Sequence, residues 1–151
     1  MDIKLKRCPG IYIAGFAGSG KPAVGRMLAD RLGWDFADLD AEIEAEEGAT
    51  IAKTLEKRGE PEFRRIETAM MQKWVRRIER GVPAVLALGE GAFVQPGNFD
   101  LIENHGISLW LDCGFEDIDR RAGYSKADFR IERTSDAQTA VQAILDLPIW
   151  K

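Results

Sequence analysis

Apolar positions along the chain follow two alternating patterns. Near-unbroken runs at Ile11-Tyr12-Ile13-Ala14, Ala84-Val85-Leu86-Ala87-Leu88 and Ile107-Ser108-Leu109-Trp110-Leu111 predict strands, and the second reads as one buried on both faces. Between them apolar residues recur at helical spacing. Val24, Met27, Leu28 and Leu32 share one face of a predicted helix from Pro22 to Arg31, closed by Gly33. Trp34-Asp35-Phe36-Ala37 predicts a short second strand that runs into Asp38-Leu39-Asp40. Two short helices follow, the second capped by Thr50, and a long one runs from about Glu62 to Arg80. Pro96-Gly97 opens another helix, Phe129-Arg130-Ile131 reads as a fifth strand, and Ser135-Asp136 caps a last helix through Leu145.

Strands that alternate with helices imply an α/β fold with a mainly parallel sheet and right-handed crossovers. Ligands in such folds sit beyond the carboxyl ends of the strands. Four segments fall there: the loop after Ala14, the pair Asp38 and Asp40, Gly89-Glu90-Gly91, and the stretch after Asp112.

Length and composition narrow the picture. The 151 residues suggest one domain, 1–151, with a core of ordinary size. A net charge of −4 gives no electrostatic support for nucleic-acid binding. The basic residues Arg65, Lys73, Arg76, Arg77 and Arg80 read as a solvated helix face, with Arg64 set apart from them. Cys8 and Cys113 lie far apart in no ligand spacing and read as free thiols of a reducing compartment. With no membrane span or leader evident, the expected location is the cytoplasm. His105, before Gly106, reads as a surface histidine favoured by a helix C-terminus, and the four tryptophans as core and edge packing.

Gly15-Phe16-Ala17-Gly18-Ser19-Gly20-Lys21-Pro22 matches the phosphate-binding pattern Gly-x-x-x-x-Gly-Lys-Ser/Thr at every position but the last. Glycines after a strand let backbone N–H groups turn inward on phosphate oxygens, and Lys21 adds a point charge. Pro22 removes both the hydroxyl that joins a Mg²⁺ shell and a backbone N–H that faces the phosphates. A charge-assisted hydrogen bond is worth roughly 1.5–3 kcal/mol. Its loss together with a metal ligand predicts nucleotide binding weaker by roughly 10²–10⁴-fold. Proline in the first turn of a helix costs the fold nothing.

The ordered motifs resemble the shikimate kinase family. After the phosphate loop come Val24-Gly25-Arg26-x-Leu28-Ala29, Phe36-Ala37-Asp38-Leu39-Asp40-x-x-Ile43, Gly59-Glu60-x-x-Phe63-Arg64-x-x-Glu67 and Leu86-Ala87-Leu88-Gly89-Glu90-Gly91-Ala92. The resemblance covers roughly residues 10–121 and resumes near Tyr124 to Leu147. It implies a three-layer αβα P-loop kinase fold with a five-stranded parallel sheet. It also implies transfer of the γ-phosphate of ATP, with Mg²⁺, to the 3-hydroxyl of shikimate. On this chain it implies that Asp40 contacts the substrate hydroxyl and helps take its proton. Asp38 would join the Mg²⁺ network through water, and Arg64 would grip the substrate carboxylate. Gly89 and Gly91 would contact the ring, Gly15, Gly18, Ser19, Gly20 and Lys21 would hold the phosphates, and Arg121 would lie beside the nucleotide. From the residues alone, Asp38 and Asp40 read either as metal and base or as a turn and helix N-cap, with Asp40 as that cap. Arg64 reads either as a substrate ligand or as a salt bridge to Glu60 or Glu67.

Three departures from the family bear on activity. Pro22 is one. Glu90 replaces a glycine; it either sits near substrate or transferred phosphate, turns to a basic residue, or joins Asp38 and Asp40 around a cation. At about 4 Å and an effective dielectric near 20, a like-charge pair there costs roughly 4 kcal/mol. The third is a deleted lid: Arg121-Ala122-Gly123 runs almost directly into Tyr124, where the family carries an Arg-Pro-Leu segment and a later arginine. Lid closure excludes water and completes the catalytic set. Together these lead to the expectation of impaired or lost transfer, in a module that binds phosphate, sulfate, a nucleotide or a protein partner. The alternative is an active shikimate kinase.

Overall fold

The computed structural model describes residues 9–15, 19–89, 91–93, 95–103, 105–112, 123–132 and 136–150. Cys8 and Cys113 lie outside them. The elements in order are β1 (Gly10–Ala14), α1 (Lys21–Leu32), β2 (Asp35–Asp38), α2 (Leu39–Glu47), α3 (Ile51–Arg58), α4 (Glu60–Glu79), β3 (Ala84–Ala87), α5 (Pro96–Glu103), β4 (Ile107–Asp112), β5 (Phe129–Glu132) and α6 (Ala137–Leu145).

The five strands form one parallel sheet in the order β2-β3-β1-β4-β5. Alternate side chains of the central strands enter two separate cores, as the two-residue period of a strand requires. Tyr12, Ala14, Leu86, Leu88 and Trp110 pack with Phe63, Met71 and Trp74 of α4 and Ile102 of α5. Ile11, Ile13, Val85, Leu109 and Leu111 pack with Val24 and Leu28 of α1 and Val141 and Ile144 of α6. The expected three-layer αβα arrangement is therefore present. Each such large apolar side chain contributes about 1.5–3 kcal/mol on burial.

The element ends show where local signals compete. The long helix starts at Glu60, not Glu62, because Pro61 occupies its first turn, where a missing N–H costs nothing. Trp34 stays outside β2, and its ring meets that of Trp150 edge-on with centroids 6.1 Å apart. Thr50 caps α3 by accepting from Lys53 N at 3.1 Å, and Asp136 caps α6 by accepting from Thr139 N at 2.9 Å. Arg77 departs from the solvated face: it stacks on Trp74 at 4.3 Å and donates to Asp35 Oδ2 at 3.3 Å. His105 follows α5 and is partly buried rather than at the surface; its Nδ1 meets the Leu101 carbonyl of that helix's last turn and its Nε2 lies against Glu79. Only residues 113–128 separate β4 from β5. Within that stretch Tyr124 is buried and its ring stacks with those of Phe93 and Trp110.

Candidate active site

The carboxyl ends of β1, β2 and β3 converge, and the described candidate residues line that edge. Gly15 follows β1, and Gly20 is the N-cap of α1 in a left-handed conformation (φ 86°). Lys21 is buried at the start of α1, with Nζ donating to the Gly15 carbonyl at 2.8 Å. The lysine thus turns back onto the residue that follows β1. Ser19 is buried, and its Oγ has no hydrogen-bond partner. Pro22 is exposed in the first turn of α1 and leaves the helix intact, as expected. Residues 16–18, Gly18 among them, lie outside the described residues, as do Glu90 and Arg121.

The two aspartates divide their roles differently from the capping reading of the sequence. Asp38, not Asp40, is the N-cap of α2; its Oδ1 accepts from Asp40 N at 3.1 Å. Asp40 stands one residue inside the helix. Burial pushes its carboxyl above the usual carboxylate range; the Asp38 charge adds to the rise, Lys21 opposes it, Glu44 adds to it, and Arg64 opposes it. A half-buried carboxylate with a raised affinity for protons is suited to receive one.

Gly89 and Gly91 give these side chains room. A Cβ on Gly89 would strike Asp40 Oδ1. Gly91 has φ +89°, which L side chains avoid, and a Cβ there would lie 3.2 Å from Arg64 Nη2. The glycine loop therefore rests with one residue against the aspartate and another against the arginine.

Of the two sequence readings of Arg64, the salt bridge is present in the structure. Its Nη1 donates to Glu67 Oε1 at 2.8 Å, and Nε lies 3.6 Å from Glu60 Oε1, a loose ion pair. Nε has no hydrogen-bond partner, and Nη2 faces Gly91. Glu67 is fully buried; burial raises its affinity for protons, while the hydrogen bond and charge of Arg64 lower it. Nη1 is thus anchored on buried Glu67, and Nη2 lies against Gly91 of the glycine loop.

A family sequence profile then decides the ancestry: that of shikimate kinase matches residues 17–146. The chain belongs to the shikimate kinase family. It is 36% identical over 136 residues to the shikimate kinase of Ruegeria pomeroyi, covering 90% of this chain and 67% of that one. It is 43% identical over 106 residues to the shikimate kinase of Paramagnetospirillum magneticum, covering 70% of this chain and 52% of that one. The chain thus spans between about half and two thirds of the curated relatives it matches. Shikimate kinase from Acinetobacter baumannii, solved in complex with shikimate, superposes with a TM-score of 0.81 at 31% identity. That match covers 93% of this chain and 92% of the other. These shikimate kinase relatives favour the active alternative over the expectation of impaired transfer, and nothing among the described residues shows that transfer is impaired. Among the described residues no helix is long and apolar enough to cross a membrane.

One buried polar residue escaped the sequence reading. Asn98 in α5 links Thr68 of α4 to the Ala92 carbonyl of the glycine loop. Its only signal in the sequence is a polar residue four positions before the buried Ile102, on the helix face that packs inward.

Proposed function

We propose that the chain transfers the γ-phosphoryl group of ATP to the hydroxyl of shikimate or a closely similar hydroxy acid. The observation that carries this reading is the convergence of Lys21, Asp40 and Arg64 around the Gly89–Gly91 loop. Phosphoryl transfer needs little covalent help from a protein; it is catalysed by alignment and charge stabilisation. Backbone N–H groups at Gly15, Ser19 and Gly20 would cradle the phosphates. Lys21 would exchange the Gly15 carbonyl for a phosphate oxygen. Arg64 would hold the substrate carboxylate with its guanidinium, and Asp40 would accept the hydroxyl proton. Arg121 is proposed to lie beside the nucleotide.

Mg²⁺ keeps several waters and takes one or two carboxylates beside phosphate oxygens. Among the described residues no group of three His, Cys, Asp or Glu side chains gathers to form a full cage. The pair Asp38 and Asp40 fits the sparser demand, and Asp38, held by its capping bond, would meet the ion through water. When bound, the ion would neutralise charge on the transferred group.

The first experiment is ADP release from Mg·ATP with and without shikimate. Shikimate-dependent release is the expected result. No release above background would leave a module that binds phosphate or a protein partner, and release that ignores shikimate would show hydrolysis without this acceptor. Pro22 gives a second handle. Pro22→Ser returns one N–H and one hydroxyl, so the KM for ATP is expected to fall at least about tenfold. An unchanged KM would show that the loop does not miss these groups.

A further inference from the structure

We propose that Asn98, together with Thr68, is a positioning residue that sets the height of the Gly89–Ala92 loop over Arg64 and thereby the affinity for the acidic substrate. The inference rests on the proposed function for its substrate and on geometry for the rest. Asn98 is 1% exposed. Its Oδ1 accepts from Thr68 Oγ1 at 2.6 Å, and its Nδ2 donates to the Ala92 carbonyl at 3.0 Å. The orientation of the amide follows from the partners, because a carbonyl can only accept.

Each end of this chain of bonds lands beside a site residue. Thr68 lies four residues after Arg64 in α4, one turn along the same face. Ala92 N donates to the Gly89 carbonyl at 3.1 Å, so holding Ala92 also holds the turn that carries Gly89 and Gly91. Gln95 adds a long contact to the Gly91 carbonyl, 3.5 Å from Nε2. Arg64 and the loop that covers it belong to different elements, α4 and the turn after β3. The Thr68–Asn98–Ala92 bridge is a direct polar link between them. An apolar residue would fill the same buried space without the desolvation of an amide. The amide is explained by what it connects.

The test compares Asn98→Ala and Asn98→Asp with Thr68→Val and Thr68→Ser in the whole chain. Asn98→Asp keeps the acceptor for Thr68 and loses the donor to Ala92. Both Asn98 variants are expected to raise the KM for shikimate about tenfold, with kcat and the KM for ATP changed less than about twofold. Thr68→Val should give a smaller rise in the same direction, and Thr68→Ser should restore the wild-type value. Parallel changes in both KM values, or none, would overturn the proposal. If Asn98→Ala does not fold, the Thr68 pair decides the matter. If the wild-type chain does not turn over shikimate, the functional reading fails separately. The bridge is then read by hydrogen exchange. In Asn98→Ala the Ala92 amide is expected to exchange at least about tenfold faster, with the Leu86 amide of β3 unchanged. Equal exchange at Ala92 in the two proteins would overturn the bridge itself.

Discussion

Replacing Asp40 by asparagine is expected to lower kcat with shikimate by about 10²–10⁴-fold, the usual contribution of a positioned general base. Asparagine has the same shape, so the close packing against Gly89 survives. The cap of α2 survives as well, because it belongs to Asp38. The loss would therefore report on proton acceptance and not on folding. The same carboxylate predicts a pH profile. Asp40 works as a base only when ionised, and burial raises its pKa from 3.8, with the Asp38 charge adding to the rise. Activity should accordingly fall, as pH is lowered, at a higher pH than an ordinary aspartate would give. Asp38→Asn keeps a good N-cap and removes one of the charges that raise Asp40. Its acidic limb is expected to move to lower pH. The check is kcat/KM for shikimate against pH in the wild type and Asp38→Asn, beside kcat of Asp40→Asn at neutral pH. An Asp40→Asn enzyme within about threefold of wild type would exclude Asp40 as the base.

The parts of this molecule that were legible in its sequence are those fixed by local rules. β1 and β3 could be read because a strand covered on both faces must be apolar throughout. Thr50 and Asp136 could be read because a side-chain oxygen just before a helical apolar period is the preferred acceptor for the free N–H groups of the first turn. The choice between Asp38 and Asp40 as cap was not local. It depends on where β2 stops, and that is set by its pairing with β3, in which Asp38 lies opposite Ala87. Arg64 presented a similar limit. Its neighbours Glu60 and Glu67 are visible on the same helix, whereas its approach to Gly91 exists only after β3 has been laid beside β1. Asn98 carries no motif at all; its meaning comes from Thr68 and Ala92, which the chain brings to it from two other elements. The consequence of Pro22 is different again. The sequence shows that the helix tolerates it, and the structure agrees, but its effect lies in bonds to a nucleotide.

Arg64→Lys is the second large effect, expected to raise the KM for shikimate by about 10–150-fold with little change in melting temperature. The magnitude follows from one to two charge-assisted hydrogen bonds at roughly 1.5–3 kcal/mol each, of which lysine restores part. Lysine keeps a positive charge opposite buried Glu67 but lacks the planar fork. It cannot offer one nitrogen to the carboxylate while another holds the glutamate. Arg64→Ala would give a less useful answer. It strands the Glu67 carboxylate in the interior, and breaking a buried pair in this way costs about 3–5 kcal/mol. That is a loss of roughly 6–20 °C in Tm for a domain of this size, and activity would fall for that reason alone. The substrate provides the control that separates grip from general damage. Methyl shikimate has no carboxylate charge, so wild type and Arg64→Lys should bind it with KM values within about threefold of each other. An equal penalty on acid and ester would mean that Arg64 supports the site through Glu67 and the glycine loop, and that the carboxylate is held elsewhere.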